Sequence, residues 1–342
     1  MNAFSAAERA GARDVATWRA DPSALARLPL GAFEHGTPLQ VAVRRFLLAL
    51  RLPPRVVAPF VGRRARMLRM LELTSYWRGV RRALRDRQTW RRLTQGTTIL
   101  LYHAIAADTQ RPTRFKVTQR AFERQMRKVA KQGRALRLDD LVALRQAHRL
   151  PPPGAVVITF DDGYAEIRSR AAPVLDELAL PATFFVVSER VGPNRTWQGD
   201  GELHGRALVA WDDVEELREL GFEIGAHTRT HPNLRNLAPE QVEAEVAGSR
   251  ADLAERLGSP PHAFAYPYGK WSETAADAAR RAGFSSAVTI RTGRNCAATP
   301  LHLLRRAEVR GTDSRLRFAL ALRFGDTNLL ADLARRLTRR EA

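Results

Sequence analysis

The chain is poor in cysteine, in lysine and in long apolar runs, and each shortage excludes something. Its 342 residues hold one cysteine, Cys296, so no internal disulfide framework holds the fold, and the redox compartment stays open. Lysine occurs only at 116, 128, 131 and 270, so the formal net charge of +20 is almost wholly arginine. Such an excess points to anionic lipid, phosphorylated ligands or nucleic acid as partners, or to arginine usage from a GC-rich coding sequence. No stretch approaches the roughly 18 to 20 apolar residues that span a bilayer. The nearest, 39–62, is broken by Arg44, Arg45, Arg51, Arg55 and the pair Pro53–Pro54, and reads as a surface-lying element. The opening MNAFSAAERAGARD lacks the apolar core of a secretory signal.

What is there divides near residue 96. Residues 1–96 are arginine-rich and lack strand-like runs, so a basic, mostly helical region is expected. The segment YWRGVRRALRDRQTWRRL (76–93) reads as one amphipathic helix with Trp77 and Trp90. It suits an anionic membrane face or a partner groove, or packs on its own domain. No nucleic-acid-binding motif is present, and no nucleic acid is expected as partner. From 97 to 342 short apolar runs alternate with helical patterns. Strands are expected at 98–102, 155–160, 182–187, 222–227, 262–267 and 286–290, and helices at 119–132, 139–147, 170–179, 211–220, 239–257 and 273–282. Such alternation predicts an α/β fold with parallel strands, as an open sheet or a barrel, and chemistry at the carboxyl ends of the strands. His103, the pair Asp161 and Asp162, His227 and Tyr268 all fall at such positions.

TFDDGY (159–164) and AHTRTH (226–231) carry the chemistry. One carboxylate with His227 and His231 makes a three-ligand set for a divalent metal, leaving a position open for water. The other carboxylate is free to take a proton. Gly163 permits a tight turn after the acidic pair, and a cation between the two carboxylates would relieve their repulsion. Thr228 and Thr230 offer hydroxyls to orient the imidazoles. The donor set suits zinc and also cobalt, nickel or iron.

These segments, with AYPYG (265–269), resemble the motifs of the polysaccharide deacetylases, the NodB-homology carbohydrate esterases, over about 97–310. The resemblance implies a distorted (β/α) barrel, TIM-barrel-like, that removes acetyl groups from glycans with a divalent metal, most simply Zn2+. It makes Asp161 the general base, Asp162, His227 and His231 the metal ligands, and the Tyr268 backbone N–H an oxyanion donor. For the general acid it offers His103, in a YH pair like that of the circularly permuted poly-N-acetylglucosamine deacetylases, with His302 in PLHLLRRAEV as the alternative. The chain departs from the family in two places. Ala265 stands where many members have an arginine that orients the base, which shifts that task to Arg305 or Arg306. No DxxxW motif follows AYPYG, and Trp211 reads as packing.

The junction of YWRGVRRAL with TTILLYHAI is similar to that in fusions of family-2 glycosyltransferases to deacetylase domains. It implies an N-acetylated glycan, glycolipid or lipid-linked precursor as substrate, handled in the cytoplasm on the inner face of a membrane. Residues 1–96 would then meet a membrane surface or a glycosyltransferase partner. The competing readings are a metal-free cyclic amide or ureide hydrolase on the same barrel, and a non-catalytic scaffold that recruits a glycan synthase.

Overall fold

A computed structural model describes residues 3–35, 38–50, 65–198 and 201–327. All six expected strands form: β1 (Thr98–Tyr102), β4 (Val156–Phe160), β5 (Thr183–Val186), β6 (Glu223–Ala226), β7 (Ala263–Ala265) and β8 (Ser286–Val288). Three further strands were not expected, β2 (Ala104–Ala106), β3 (Lys116–Thr118) and β9 (Ala307–Glu308). The main sheet runs β8-β7-β6-β5-β4-β1-β9, all parallel, and β2 pairs with β3. Its two edges meet in one segment. Leu304 bridges Val288 of β8, and three residues on, Ala307 pairs with Leu100 of β1. The sheet therefore curls into the distorted (β/α) barrel.

Both faces of these strands are buried, so they read as unbroken apolar runs without alternation. Ile99, Val157, Phe185, Ala265, Val288 and Leu304 fill the interior with help from α6 (Leu138–Gln146). The alternate residues, such as Leu100, Ile158 and Phe184, pack outward on α5 (Gln119–Ala130), α9 (Pro239–Leu257) and α10 (Glu273–Arg281). Helices lie close to their expected ranges, with one correction. In place of a single helix over 170–179, a π turn (Ile167–Ala171) precedes α7 (Ala172–Glu177). Trp211, which opens α8 (Trp211–Glu219), packs against the outer core as expected.

The amino-terminal region builds a second core from α1 (Ala3–Ala20), α2 (Pro38–Ala49), α3 (Ala65–Leu84) and α4 (Arg87–Thr94). Here the single helix expected over 76–93 is corrected to two. Arg85 takes a left-handed backbone (φ 58°), and the Asp86 carboxylate accepts from the N–H groups of Gln88 (3.0 Å) and Thr89 (2.6 Å), capping α4 afresh. The tryptophans turn inward. Trp77 is 1% exposed and meets Phe33 edge-on at 4.7 Å and Trp90 at 6.3 Å. The surface-lying reading of 39–62 falls outside the described residues from 51 onward. Among the described residues no helix is long and apolar enough to cross a membrane.

Helices α1 and α3 cross with their backbones touching. A Cβ added at Gly79 would stand 1.9 Å from the Glu8 carbonyl oxygen. Gly79→Val should therefore force the helices apart and lower stability by about 1–3 kcal/mol, read as a fall in the denaturation midpoint. An unchanged midpoint would show that the crossing adapts freely.

This helical unit sits beneath the amino-terminal ends of β1 and β4. The Gly154 N–H donates to the Gln95 carbonyl (3.1 Å), and Thr97 and Asn295 exchange backbone hydrogen bonds at 2.8 Å. Buried Glu34 binds Arg45 of its own unit and lies 3.7 Å from Arg294 of the barrel. The strands' carboxyl ends open on the opposite side.

Candidate active site

Residues that continue the inward parity of their strands converge at the carboxyl end of the barrel. Ile99 and Leu101 lead to His103, Val157 and Thr159 lead to Asp161, and Gly225 leads to His227. Leu304 on the closing segment leads to Arg306 and Glu308. All five polar residues face one mouth for this single reason.

Asp161 is 4% exposed and held by Arg306, which is fully buried. Two parallel bonds join them, Nη1 to Oδ1 at 2.7 Å and Nη2 to Oδ2 at 2.6 Å. Arg306 also donates from Nη1 to Thr159 Oγ1 (3.2 Å) and from Nε to the Thr289 carbonyl (3.0 Å). Burial alone would raise the Asp161 carboxyl, but the Arg306 guanidinium outweighs it and holds the group below its ordinary value. Of the two arginines proposed to orient the base, the structure selects Arg306; Arg305 takes the other parity. It also corrects the expectation that a cation must relieve the acidic pair. Asp161 is already neutralised by a guanidinium, so Asp162 alone turns towards the imidazoles.

Asp162 Oδ1 lies 3.4 Å from Nε2 of His227 and 3.4 Å from Nε2 of His231. These three buried residues offer one donor atom each, all within 4.8 Å of one another. Donors at about 2.1 Å from a tetrahedral ion lie roughly 3.4 Å apart, so the residues fit a divalent metal. His227 Nδ1 lies 2.7 Å from the Ala265 carbonyl, to which it donates, so in the neutral ring Nε2 is the nitrogen that can ligate. That carbonyl does what was expected of the threonines. The Thr228 hydroxyl instead holds its own turn, accepting from the His231 N–H (3.0 Å), and Thr230 binds Glu245 (2.6 Å).

The charges suit a ligand set. Burial, then the neighbouring His227, push His231 down to about 3, so it is neutral at working pH. Burial pushes His227 down as well, but its bond to Asp162 and the nearby Asp161 raise it overall. Asp162 is held well below the usual carboxylate range, its burial outweighed by the imidazoles. An anion between two imidazoles is the arrangement a divalent ion replaces.

Backbone strain gathers at the same place. Of eight non-glycine residues with positive φ among the described residues, four belong here: Asp162 (74°), Thr228 (63°), His231 (67°) and Tyr268 (58°). Conformations of this kind cost about 1–3 kcal/mol each and persist where the surroundings over-determine them. Tyr268 lies in the turn Pro267–Gly269, and its half-exposed ring meets His231 at 4.7 Å. Trp197 meets the same imidazole at 4.9 Å.

The mouth is a cleft of about 310 Å³, and His103, Asp161, Asp162, His227, His231 and Tyr268 all line it. His103 sets its ring against Phe115 at 4.9 Å, and its buried Nδ1 has no hydrogen-bond partner. His302 is elsewhere. Its Nε2 donates to the Phe284 carbonyl (2.8 Å), and it does not line the cleft. Sequence reasoning missed Trp197, which sits in a loop without periodicity. It also missed Glu308, which lines the cleft two residues after Arg306 and is clasped by Arg114 (3.0 Å) and Arg310 (2.8 Å). The i+2 step from Arg306 is the one signal that pointed to it.

Comparison with known proteins agrees with this geometry. The sequence model described as polysaccharide deacetylase matches residues 148–287. YxkH of Bacillus subtilis, whose name marks its polysaccharide deacetylase assignment as provisional, is 26% identical over 212 residues, 62% of this chain and 70% of its own. The poly-beta-1,6-N-acetyl-D-glucosamine N-deacetylase of Escherichia coli K12 is 25% identical over 187 residues, and the match spans 45% of this chain but only 28% of that protein. The solved structure of IcaB from Ammonifex degensii superimposes with a TM-score of 0.56 at 25% identity, covering 67% of this chain and 96% of that one. The span matched by the family model holds Asp161, Asp162, His227, His231 and Tyr268, while His103 and Arg306 lie outside it. The barrel of this chain belongs to the polysaccharide deacetylase family, the NodB-homology group.

Proposed function

We propose that the chain is a metal-dependent hydrolase that removes the acetyl group from the nitrogen of an N-acetylhexosamine in a polysaccharide, glycolipid or lipid-linked glycan. The observation that carries this reading is one carboxylate spaced for a shared ion with two imidazoles, beside a second carboxylate fixed by a buried guanidinium. The name of the Escherichia coli relative, an N-deacetylase of an N-acetylglucosamine polymer, supports the substrate class.

Asp162, His227 and His231 would hold the divalent ion, most simply Zn2+. When bound, it supplies a Lewis acid for the acetyl carbonyl and acidifies water. Arg306 keeps Asp161 ionised and fixes its lone pairs, so Asp161 accepts the proton as water attacks the carbonyl carbon. The left-handed turn at Tyr268 brings its backbone to the mouth, where the N–H stabilises the oxyanion. His103 gives a proton to the amide nitrogen as the C–N bond breaks, releasing acetate and the free amine. Trp197 and Phe115 wall the cleft and restrict water.

Within this reading, residues 1–96 would meet an anionic membrane face or a glycosyltransferase, on the inner face of a membrane. Trp77 is not available for that contact. Phe46, which is 61% exposed, is.

Metal analysis tests the proposal first. One metal per chain is expected after zinc loading and near none in Asp162→Ala, with acetate release from N-acetylated oligosaccharides that a chelator stops. Absence of zinc binding in the wild type would favour the metal-free amidohydrolase reading. Metal binding without release of acetate from any such glycan would favour the scaffold.

A further inference from the structure

At the other end of the barrel lies a groove of about 260 Å³ in which four cations meet. Its cationic lining is Lys128 from the last turn of α5, Arg134 from the connection between α5 and α6, Arg294, and Arg323 from the last turn of α11 (Arg315–Phe324). No acidic side chain lines it. Among the described residues Lys128, Arg134 and Arg323 make no ion pair. Arg294 alone has an acidic partner, buried Glu34 at 3.7 Å, which it shares with Arg45.

Cations in the last turn of a helix commonly offset its dipole, and that accounts for Lys128 and Arg323 singly. It does not account for Arg294. This guanidinium is 2% exposed, and its Nε has no hydrogen-bond partner. Burial, only partly opposed by Glu34, and the neighbouring guanidiniums of Arg45, Arg323 and Arg134 push it down to about 10. Gly154 shows where the groups converge. Its φ is +72°, and the position of an added Cβ lies 2.9 Å from Arg134 Nη1 and 3.7 Å from Arg294 Nη2. Two guanidiniums thus stand side by side at Gly154, Arg294 anchored on the Gly96 and Arg323 carbonyls, with the Arg323 side chain and the Lys128 ammonium on the same groove.

We propose that this groove is an anion site for a phosphoryl group, either free phosphate or the phosphate of a lipid headgroup. Planar guanidiniums donating in parallel match the tetrahedral oxygens of phosphate, and a dianion removes the repulsion among like charges held close together. The site is separate from the catalytic mouth. Gly154 and Asp161 bracket β4, and seven residues at about 3.3 Å each set them roughly 23 Å apart. The groove is also the seam where Gln95 of the helical unit meets the barrel, so a bound phosphoryl group ties the two together.

The test uses the full chain and the double variant Arg134→Gln/Arg323→Gln, whose side chains are half-buried and exposed; Arg294 is left in place because its loss could prevent folding. Inorganic phosphate is titrated against chloride of equal ionic strength, following the melting temperature. Sedimentation is measured with phosphatidylcholine vesicles, with and without phosphatidylglycerol. The expected result is a melting temperature that rises with phosphate and not with chloride, with the apparent Kd at least tenfold weaker in the variant. A headgroup source would instead show as phosphatidylglycerol-dependent sedimentation, competed by phosphate and at least tenfold weaker in the variant. No response of the wild type in either arm, or equal responses of wild type and variant, overturns the site.

Discussion

Asp161→Asn should lower kcat for acetate release by about 100- to 10,000-fold, the usual contribution of a positioned general base. Asparagine keeps the shape and one hydrogen-bond acceptor but cannot take the proton. Asp162, His227 and His231 are untouched, so metal content should remain at that of the wild type. The substitution has a structural side effect, because it strips the buried Arg306 of its counter-charge. The assay therefore belongs well below the variant's melting temperature, with metal stoichiometry measured on the same sample. A variant with bound metal and near-normal kcat would remove Asp161 from the reaction.

Arg306→Gln should cost about 3–5 kcal/mol of stability, since it leaves a buried carboxylate unpaired. That corresponds to a fall in melting temperature on the order of 10 °C. Asp161 is held below its ordinary value chiefly against the upward push of burial, so loss of the guanidinium raises it. In the proposed reaction Asp161 acts ionised, so the acidic limb of the kcat/KM profile should move to higher pH. The same sign governs stability. The pair stabilises the fold above the ordinary carboxylate pKa of about 4, and that contribution fades as pH falls through the lower value in the folded state. In Arg306→Gln the sign reverses, because burial is left to raise Asp161 above its ordinary value and ionising the unpaired carboxylate costs stability as pH rises. The double variant Asp161→Asn/Arg306→Gln should recover most of the lost stability, because both charges are gone, and remain inactive. Recovery without activity separates the chemical role of Asp161 from its structural one. A single variant with an unmoved acidic limb would show that Arg306 acts on the fold alone.

The gathering of Asp162, His227 and His231 was legible because chain order supplies both their chemistry and their spacing. DDG after an apolar run and HxxxH after a later one fall at strand ends, where a parallel barrel collects its polar groups. Arg306 was only half legible. The closing segment is so short that its parity shows only once Leu304 is seen against Val288 and Ala307 against Leu100. The sequence favoured His103 over His302 by its YH pair, and the structure puts His103 in the cleft and His302 on the Phe284 carbonyl.

The amino-terminal region shows the converse. Its helices could be expected from composition, but the direction of Trp77 and Trp90 could not. An amphipathic face reads the same whether it meets a bilayer, a partner or a neighbouring helix, and here Phe33 and the α1–α3 crossing occupy it. The sequence by itself determined the α/β alternation, the six long strands and the Asp162, His227, His231 set, because these depend on local periodicity and residue chemistry. The tertiary structure alone decided the barrel's closure, the pairing of Asp161 with Arg306, the Ala265 carbonyl behind His227, and the gathering of Lys128, Arg134, Arg294 and Arg323 at one seam. Each of those joins segments tens to hundreds of residues apart, and which of many equivalent arginines meets which acid is fixed only when the strands pair.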